Sequence, residues 1–526
     1  METDDYCIVD DSGDGGTKAR TIQKGGNSAD ERDMRRMGKH QELRRNFKLV
    51  GIIGFITILQ ATWESTLLAN YFGLLNGGTA GVIWCTIATW LFMLCMIASL
   101  AECASIAPTA GGQYHWVSEF APPSLQKSLS YVVGWCCCLG WIAGIPACAF
   151  QLAGLVQEMV LLGYPDANIQ QLWQQTLIVF LFILLTVGFN IFFAHHLPLM
   201  EGIILFLHFF AFFAFLLVLW IMPKTHQPAK EVFTTFYDGG GWGNIGLSCL
   251  VGLATPIWCF IGPDAGAHMS EELKDASLQL PRAMMWATCL NGIAGITMLI
   301  TFCFCIDDLQ DIVGPDASSY PIIQILYKVT NSYAATCLLG SFLVLLLFFS
   351  TITTIASASR SVWAFSRDGG LPYSSWICQV RPEWEIPVSA LLVCLVASLI
   401  LSAINFGSNV AFQAILSVSN AALIFSYIVS IICIRLKRLR GETLLPRRWS
   451  LGKFGGLIND LTLAFLVVGF VFSFFPAYPS VGDSTAAADF NWSILIFTVT
   501  CVVAMVYYTM GGKDKYIAPV SLVKEE

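Results

Sequence analysis

The chain of 526 residues is 56% hydrophobic and 12% charged, with a mean hydropathy of +0.65. A water-soluble domain carries about 25% charged residues, so this composition excludes one. The net charge of −7 at pH 7 comes with no basic domain, which argues against nucleic acid as a partner.

Residues 1–46 have no apolar core, so they predict no cleavable signal peptide, and the first span must serve as the insertion signal. Their Gly, Ser, Asp and Lys content predicts a disordered cytoplasmic tail. Windows of about 19 residues then predict twelve membrane spans, near 49–75, 79–106, 129–162, 175–194, 199–222, 244–267, 284–306, 334–358, 387–405, 410–434, 458–478 and 490–510. Several exceed the roughly 20 residues that cross ~30 Å, which implies tilt or extension into the aqueous layer. Cationic loops stay on the cytoplasmic side. All of the 29 Lys and Arg residues except Lys224, Lys230 and Lys328 fall on the side of the amino terminus, so both termini are predicted cytoplasmic. The plasma membrane is the expected host, with the vacuolar membrane as the alternative.

The span order has internal symmetry. Spans 1 to 5 (47–222) and 6 to 10 (243–435) are units of similar length, each with an odd number of crossings, so the second is inverted relative to the first. A basic cytoplasmic loop (436–457), helices 11 and 12 (458–510) and a short cytoplasmic tail (511–526) follow. Each unit opens with an apolar span interrupted by an acid: Ala61-Thr62-Trp63-Glu64-Ser65 in span 1 and Ile261-Gly262-Pro263-Asp264-Ala265-Gly266 in span 6. Paired interruptions of this kind point to the substrate site of a transporter with inverted repeats. The fold class expected is an all-α polytopic membrane protein of twelve transmembrane helices, a five-plus-five inverted repeat with broken helices 1 and 6 plus two extra C-terminal helices.

Other features carry less. Nearly all of the 18 cysteines lie within spans, where thiols act as small apolar groups, and the spacing suggests neither zinc nor a disulfide framework. No cofactor is implied. His195-His196, on a short turn before Pro198, lacks the Cys or acid company of a metal site. Asn491-Trp492-Ser493 is a glycosylation sequon close to span 12.

Three strings stand at the cytoplasmic ends of spans. After span 2 the chain reads Ala98-Ser99-Leu100-Ala101-Glu102, then Ala107-Pro108-Thr109-Ala110-Gly111-Gly112-Gln113-Tyr114. After span 6 it reads His268-Met269-Ser270-Glu271-Glu272, then Pro281-Arg282; span 8 ends in Ala364-Phe365-Ser366-Arg367-Asp368-Gly369-Gly370-Leu371-Pro372. In this order and spacing they resemble the amino acid-polyamine-organocation permeases, in particular the fungal amino acid, choline and 4-aminobutyrate branch, over about 47–510. The resemblance implies broken first and sixth helices, alternating access, and uptake of amino acids or small amines, commonly driven by protons.

A break frees backbone groups that lipid cannot satisfy, so it must face protein or a water-filled cavity. The expected substrate site is therefore Ala61, Thr62, Trp63, Glu64 and Ser65 with Trp258, Phe260, Ile261, Gly262 and Asp264. The second half of helix 1, expected to begin near Ser65, would aim its amides at an anionic group. The first break lacks the glycines of relatives that hold an α-carboxylate. Acids without fixed bases in the interior favour a cation, and Trp63, Trp258 and Phe260 offer cation–π attraction. Glu64 and Asp264 read equally well as caps of the second half-helices. The ion-coupling candidates are Glu64, Asp264, His208, Ser350 and Thr354; the ion is a proton, with sodium as the alternative. Ser350, Thr351, Thr353, Thr354 and Ser357 form a hydroxyl cluster, although such residues also bond back to the preceding turn. Span 5 offers only Glu201 and His208, so the lysine that some proton-coupled relatives place there has no counterpart; His208 titrates near neutrality in its reference state. Glu102, Glu271, Glu272, Arg360 and Arg367 are candidates for an inner gate, against the plainer reading of solvated loops. The other classes to weigh are a nutrient sensor of the same fold and, with no nucleophile constellation to support it, an integral membrane enzyme.

Overall fold

The structure is a computed structural model that describes residues 24–314, 320–381, 385–407, 410–479 and 490–523. Among the described residues, twelve helices are long and apolar enough to cross a membrane: α1 (Leu49–Leu68), α2 (Gly78–Ile106), α3 (Gln126–Gly163), α4 (Leu172–Phe192), α5 (Ala194–Ile221), α6 (Ile245–His268), α7 (Ala276–Phe304), α8 (Tyr333–Arg367), α9 (Val388–Phe406), α10 (Ala411–Leu439), α11 (Gly452–Phe472) and α12 (Ser493–Leu522). Among the described residues there is no strand, only two isolated bridges.

Burial divides these helices into two sets. α1, α3 and α10 are covered over most of their length, whereas α4, α5 and α12 present apolar rows outward, such as Phe206, Phe210, Phe213 and Leu217 of α5. A surface of this kind suits hydrocarbon. α3 packs along both α8 and α10, and α1 lies against α5, α7 and α8. The core is thus a bundle with the two interrupted helices at its centre.

Helix ends depart from the hydropathy pattern. α7 begins earlier, and α8 and α10 end later, than the apolar windows do. Hydropathy marks the apolar stretch, while the helix continues for as long as its backbone bonds and side-chain packing are satisfied. The first apolar run, expected to reach residue 75, ends its helix at Leu68, and Tyr71–Leu75 forms a separate short helix.

The larger correction concerns the amino-terminal tail, expected to be disordered over 1–46. Residues 1–23 lie outside the described residues, but 24–46 are ordered. A helix, Ser28–Arg36, opens on an Asn27 capping box. Asp30 accepts from the amides of Asp275 and Ala276 at the start of α7, Arg45 donates to the carbonyls of Ser270 and Leu273, and Gln41 donates to that of Glu271. The segment is poor in apolar residues, so composition reads it as tail; it is held by charge and by capping of other elements' ends. The carboxy-terminal residues reach the same face, where Ile517 donates to the Asp368 carbonyl and Val520 to the Ser118 hydroxyl. We call this side of the bundle the terminal face.

Candidate functional site

The break in α6 follows from its sequence. Pro263 has no N–H to give the Cys259 carbonyl one turn earlier, and Gly262 adopts φ 107°, a region closed to most side chains. The helix stops at Phe260 and resumes at Ala265. Two side chains of α1 then serve the freed carbonyls: the Thr62 hydroxyl donates to Cys259 O at 2.9 Å and Gln60 Nε2 to Phe260 O at 3.0 Å.

α1 breaks with neither Gly nor Pro. Ala61 takes a left-handed conformation (φ 40°, ψ 47°), ending one helix at Gln60 and starting the next at Thr62, three residues before the Ser65 expected. A left-handed alanine costs roughly 1–2 kcal/mol, so its surroundings must hold it there. They do so through side chains: Ser350 of α8 donates to the Leu59 carbonyl at 2.9 Å, and Asn291 of α7 donates to Thr57 O and Gln60 Oε1. Each break is stabilised by the other and by the two helices beside them.

Between the breaks lies a cavity of about 40 Å³, enough for about three waters. Leu59, Gln60 and Ser65 line it from α1, Trp258, Ile261 and Gly262 from α6, Trp141, Gly144, Cys148 and Gln151 from α3, Ser350 and Thr354 from α8, and Ser419 and Leu423 from α10. Away from the terminal face a wider cavity of about 290 Å³ opens among Tyr71, Phe72, Tyr320, Asn405, Phe412 and Tyr478.

Comparison with known proteins agrees with this architecture. The family model described as amino acid permease matches residues 45–504. The chain belongs to the amino acid permease family. The permease is 29% identical to a Macrophomina phaseolina protein named for amino acid and polyamine transport, over 84% of this chain and 98% of the relative. It is 28% identical to a choline transporter of Saccharomyces cerevisiae, over 90% and 83%, and 25% identical to an amino-acid permease of Arabidopsis thaliana, over 93% and 96%. It is an integral multi-pass membrane transporter.

Of the residues expected in the substrate site, the permease brings Ser65, Trp258, Ile261 and Gly262 to the cavity, together with the hydroxyls of Ser350 and Thr354. The other six lie outside its lining. Ala61 forms the turn of the first break, and Thr62 is committed to Cys259. Trp63 is buried against His208, Phe212 and Phe215 of α5, and Phe260 is fully buried. Glu64 faces α5, where its Oε1 sits 2.7 Å from His208 Nδ1, close enough to share one proton; Glu64 Oε2 and His208 Nε2 have no hydrogen-bond partner among the described residues. Asp264 points toward the terminal face and accepts from Tyr427 and Gln113, with His268 Nε2 at 3.9 Å. The lining is uncharged, which differs from the acid-lined interior expected from the sequence. Of the hydroxyl cluster, Thr351, Thr353, Thr354 and Ser357 bond back to the preceding turn.

The contribution of α3 escaped sequence reasoning. Trp141 and Gln151 line the cavity, and Gln151 is buried with its Nε2 unpartnered among the described residues. An amide within an apolar span, like that of Gln60, was the available signal.

The gating candidates separate into two groups. Arg367 grips Glu271 with two bonds of 2.8 and 2.9 Å, Thr109 and the Ala110 amide donate to the same carboxylate, and Arg360 bonds Glu272 at 2.8 Å. Lys39 of the amino-terminal segment and the Tyr114 hydroxyl both engage Asp368. These side chains are buried or nearly so, unlike the solvated loops of the plainer reading. Burial alone would raise the Glu271 carboxyl, but the Arg367 guanidinium, with help from the Ala110 amide and Lys39, pulls it down to about 2. Glu102 stands apart: it joins Arg438, Arg447, Ser450 and the Leu451 amide, fastening α2 to the end of α10 and to the segment between α10 and α11. Asn491, the sequon residue, is buried and donates to Ser417 and to the carbonyls of Ser473 and Phe475.

Proposed function

We propose that this permease is a proton-coupled importer of an amino acid or small amine, with 4-aminobutyrate, choline and related compounds in range, working by alternating access at the cavity between the breaks. The terminal face is cytoplasmic in this reading, and the plasma membrane is the host. The observation that carries it is a neutral cavity enclosed by two mutually supporting breaks and separated from the terminal face by buried ion pairs, with a wider cavity on the opposite side. Glu271–Arg367 and Glu272–Arg360 serve as the inner gate, closed here.

The lining supports a ligand with both a cationic and an acceptor group. Trp141 and Trp258 offer indole faces to an ammonium, an attraction of about 0.5–2 kcal/mol each, and Gln151 Nε2 offers an unused donor. The Glu64–His208 pair, buried and with an unused atom on each partner, is the proton-binding group we assign. Uptake of labelled choline, 4-aminobutyrate and alanine, with a protonophore and with sodium replaced, tests the reading. Accumulation of one of them that survives sodium replacement and collapses with the protonophore is expected, as is its loss in Glu64→Gln; sodium dependence would contradict the coupling.

A further inference from the structure

Glu201 is a buried acid that none of the above uses. It sits on the stripe of α5 that faces inward, with Leu197, Ile204, His208, Ala211 and Phe215, and neither of its carboxylate oxygens has a hydrogen-bond partner among the described residues. An unpaired carboxylate in such surroundings costs many kcal/mol, so the group is held as the neutral acid.

The neighbouring elements offer it no counter-charge. The first half of α1, Leu49–Gln60, has no titratable side chain. α7 contributes Arg282 near its start; in α8, Arg360 and Arg367 are committed to Glu272 and Glu271. The turn before α5 carries His195 and His196, and His208 on α5 itself pairs with Glu64. No ion pair to Glu201 is formed by any of them among the described residues.

The first half of α1 packs against the turn of α5 that carries Glu201. Gly54 of α1 packs on the Glu201 backbone so closely that a Cβ there would stand 3.1 Å from its carbonyl oxygen. The same half-helix is tied to the inner gate, since Phe47 donates to the Glu272 carbonyl and accepts from Lys274. Release of this half of α1 when the gate opens would let cytoplasmic water reach the acid. On α5, Glu201 lies seven residues, ~10 Å along the axis, from His208 and therefore on the same stripe, nearer the terminal face.

We propose that Glu201 is a second proton site of the transport cycle, loaded while the first half of α1 is docked on α5 and emptied to the cytoplasm when that half departs. The carboxylic acid loses its O–H proton to cytoplasmic water on opening; on closure it takes one from the Glu64–His208 pair through water along the α5 stripe, and the pair is reloaded from the side opposite the terminal face. A group whose proton affinity differs between two conformations couples protons to that transition by the same free energy, in both directions. The inference rests on the proton coupling proposed above.

The test compares accumulation with exchange in vesicles holding the full-length protein. Labelled choline, 4-aminobutyrate and alanine are offered under an imposed proton gradient, and the same compounds are exchanged at equal concentration and equal pH on the two sides. Glu201→Gln is expected to lower gradient-driven accumulation at least tenfold relative to exchange, and Glu201→Asp, which keeps a titratable acid, to recover part of it. If the wild type follows the gradient and Glu201→Gln accumulates equally, the Glu201 assignment is overturned alone. If both variants lose accumulation and exchange alike, Glu201 is a packing residue and the assignment is again overturned. A wild type that ignores the gradient contradicts the coupling itself, and the second site with it.

Discussion

The cavity at the breaks and the plug at the terminal face are built from opposite materials. The cavity is lined by neutral groups, two of which, Gln60 and Ser350, donate to carbonyls at the breaks. The plug consists of paired charges: Glu271 alone receives two bonds from Arg367, one from Thr109 and one from a backbone amide. The difference suits the roles proposed for the two regions. A cavity that admits and releases a ligand cannot hold charges that bind too firmly, whereas a buried ion pair is costly to break singly and well suited to a closure that opens as a unit.

That contrast can be broken at either end. The largest effect is expected at the plug: Arg367→Gln leaves Glu271 buried and unpaired, a loss of ~3–5 kcal/mol, whereas adding Glu271→Gln restores much of it. Melting of the purified protein followed by fluorescence-detected size exclusion reads the difference; two single variants that melt with the wild type would remove the plug from the account. At the breaks, Thr62→Val keeps the shape but leaves the Cys259 carbonyl without a donor, at about 1–3 kcal/mol in the same assay. Gly262→Ala forces a side chain into φ 107° and brings its Cβ 2.9 Å from Leu59 Cδ2. A strain of roughly 1–2 kcal/mol is expected, with a larger fall in uptake rate than in stability because the cavity itself is deformed.

The smallest effect is a predicted absence. Glu271 titrates at about 2 in the folded protein against an ordinary 4.5. A lowered folded value means that its stabilisation is complete above the unfolded value and is lost as pH falls toward the folded one. The plug contact should therefore be indifferent to pH from 5 to 8. The melting difference between wild type and Glu271→Gln, measured at both limits, should be constant; a steep change across that interval would refute the pairing.

Much of this was legible beforehand, for reasons that also explain the rest. Twelve apolar runs and the split of Lys and Arg specify a polytopic bundle, and Gly262-Pro263 announces its break because the missing donor and the open φ are properties of the residues themselves. Of the gating candidates, Glu102, Glu271, Glu272 and Arg367 stand in the family strings, and Glu271 pairs with Arg367 and Glu272 with Arg360. The first break was located at the right place but not in the right form, since nothing in Ala61 demands a left-handed turn; the demand comes from Ser350, Asn291 and Thr62. Glu64 and His208 both read as ion-coupling candidates, and Glu64 also as a ligand or a cap, but their pairing across 144 residues is invisible to local reasoning. The uncharged lining was missed for the same reason: α3 supplies Trp141 and Gln151 from outside the two breaks. The order of residues 24–46 depends on the ends of α6 and α7, which composition cannot sense.

The central claim is that the cavity between the breaks holds the transported molecule. It is tested most directly by the apparent KM for uptake of whichever labelled compound the wild type carries, measured in Gln151→Leu and Trp258→Ala at matched surface abundance. The account predicts a rise of at least fivefold in each, as expected when a donor or an aromatic face worth ~1–2 kcal/mol is removed from the ligand. An unchanged KM in both variants would contradict it.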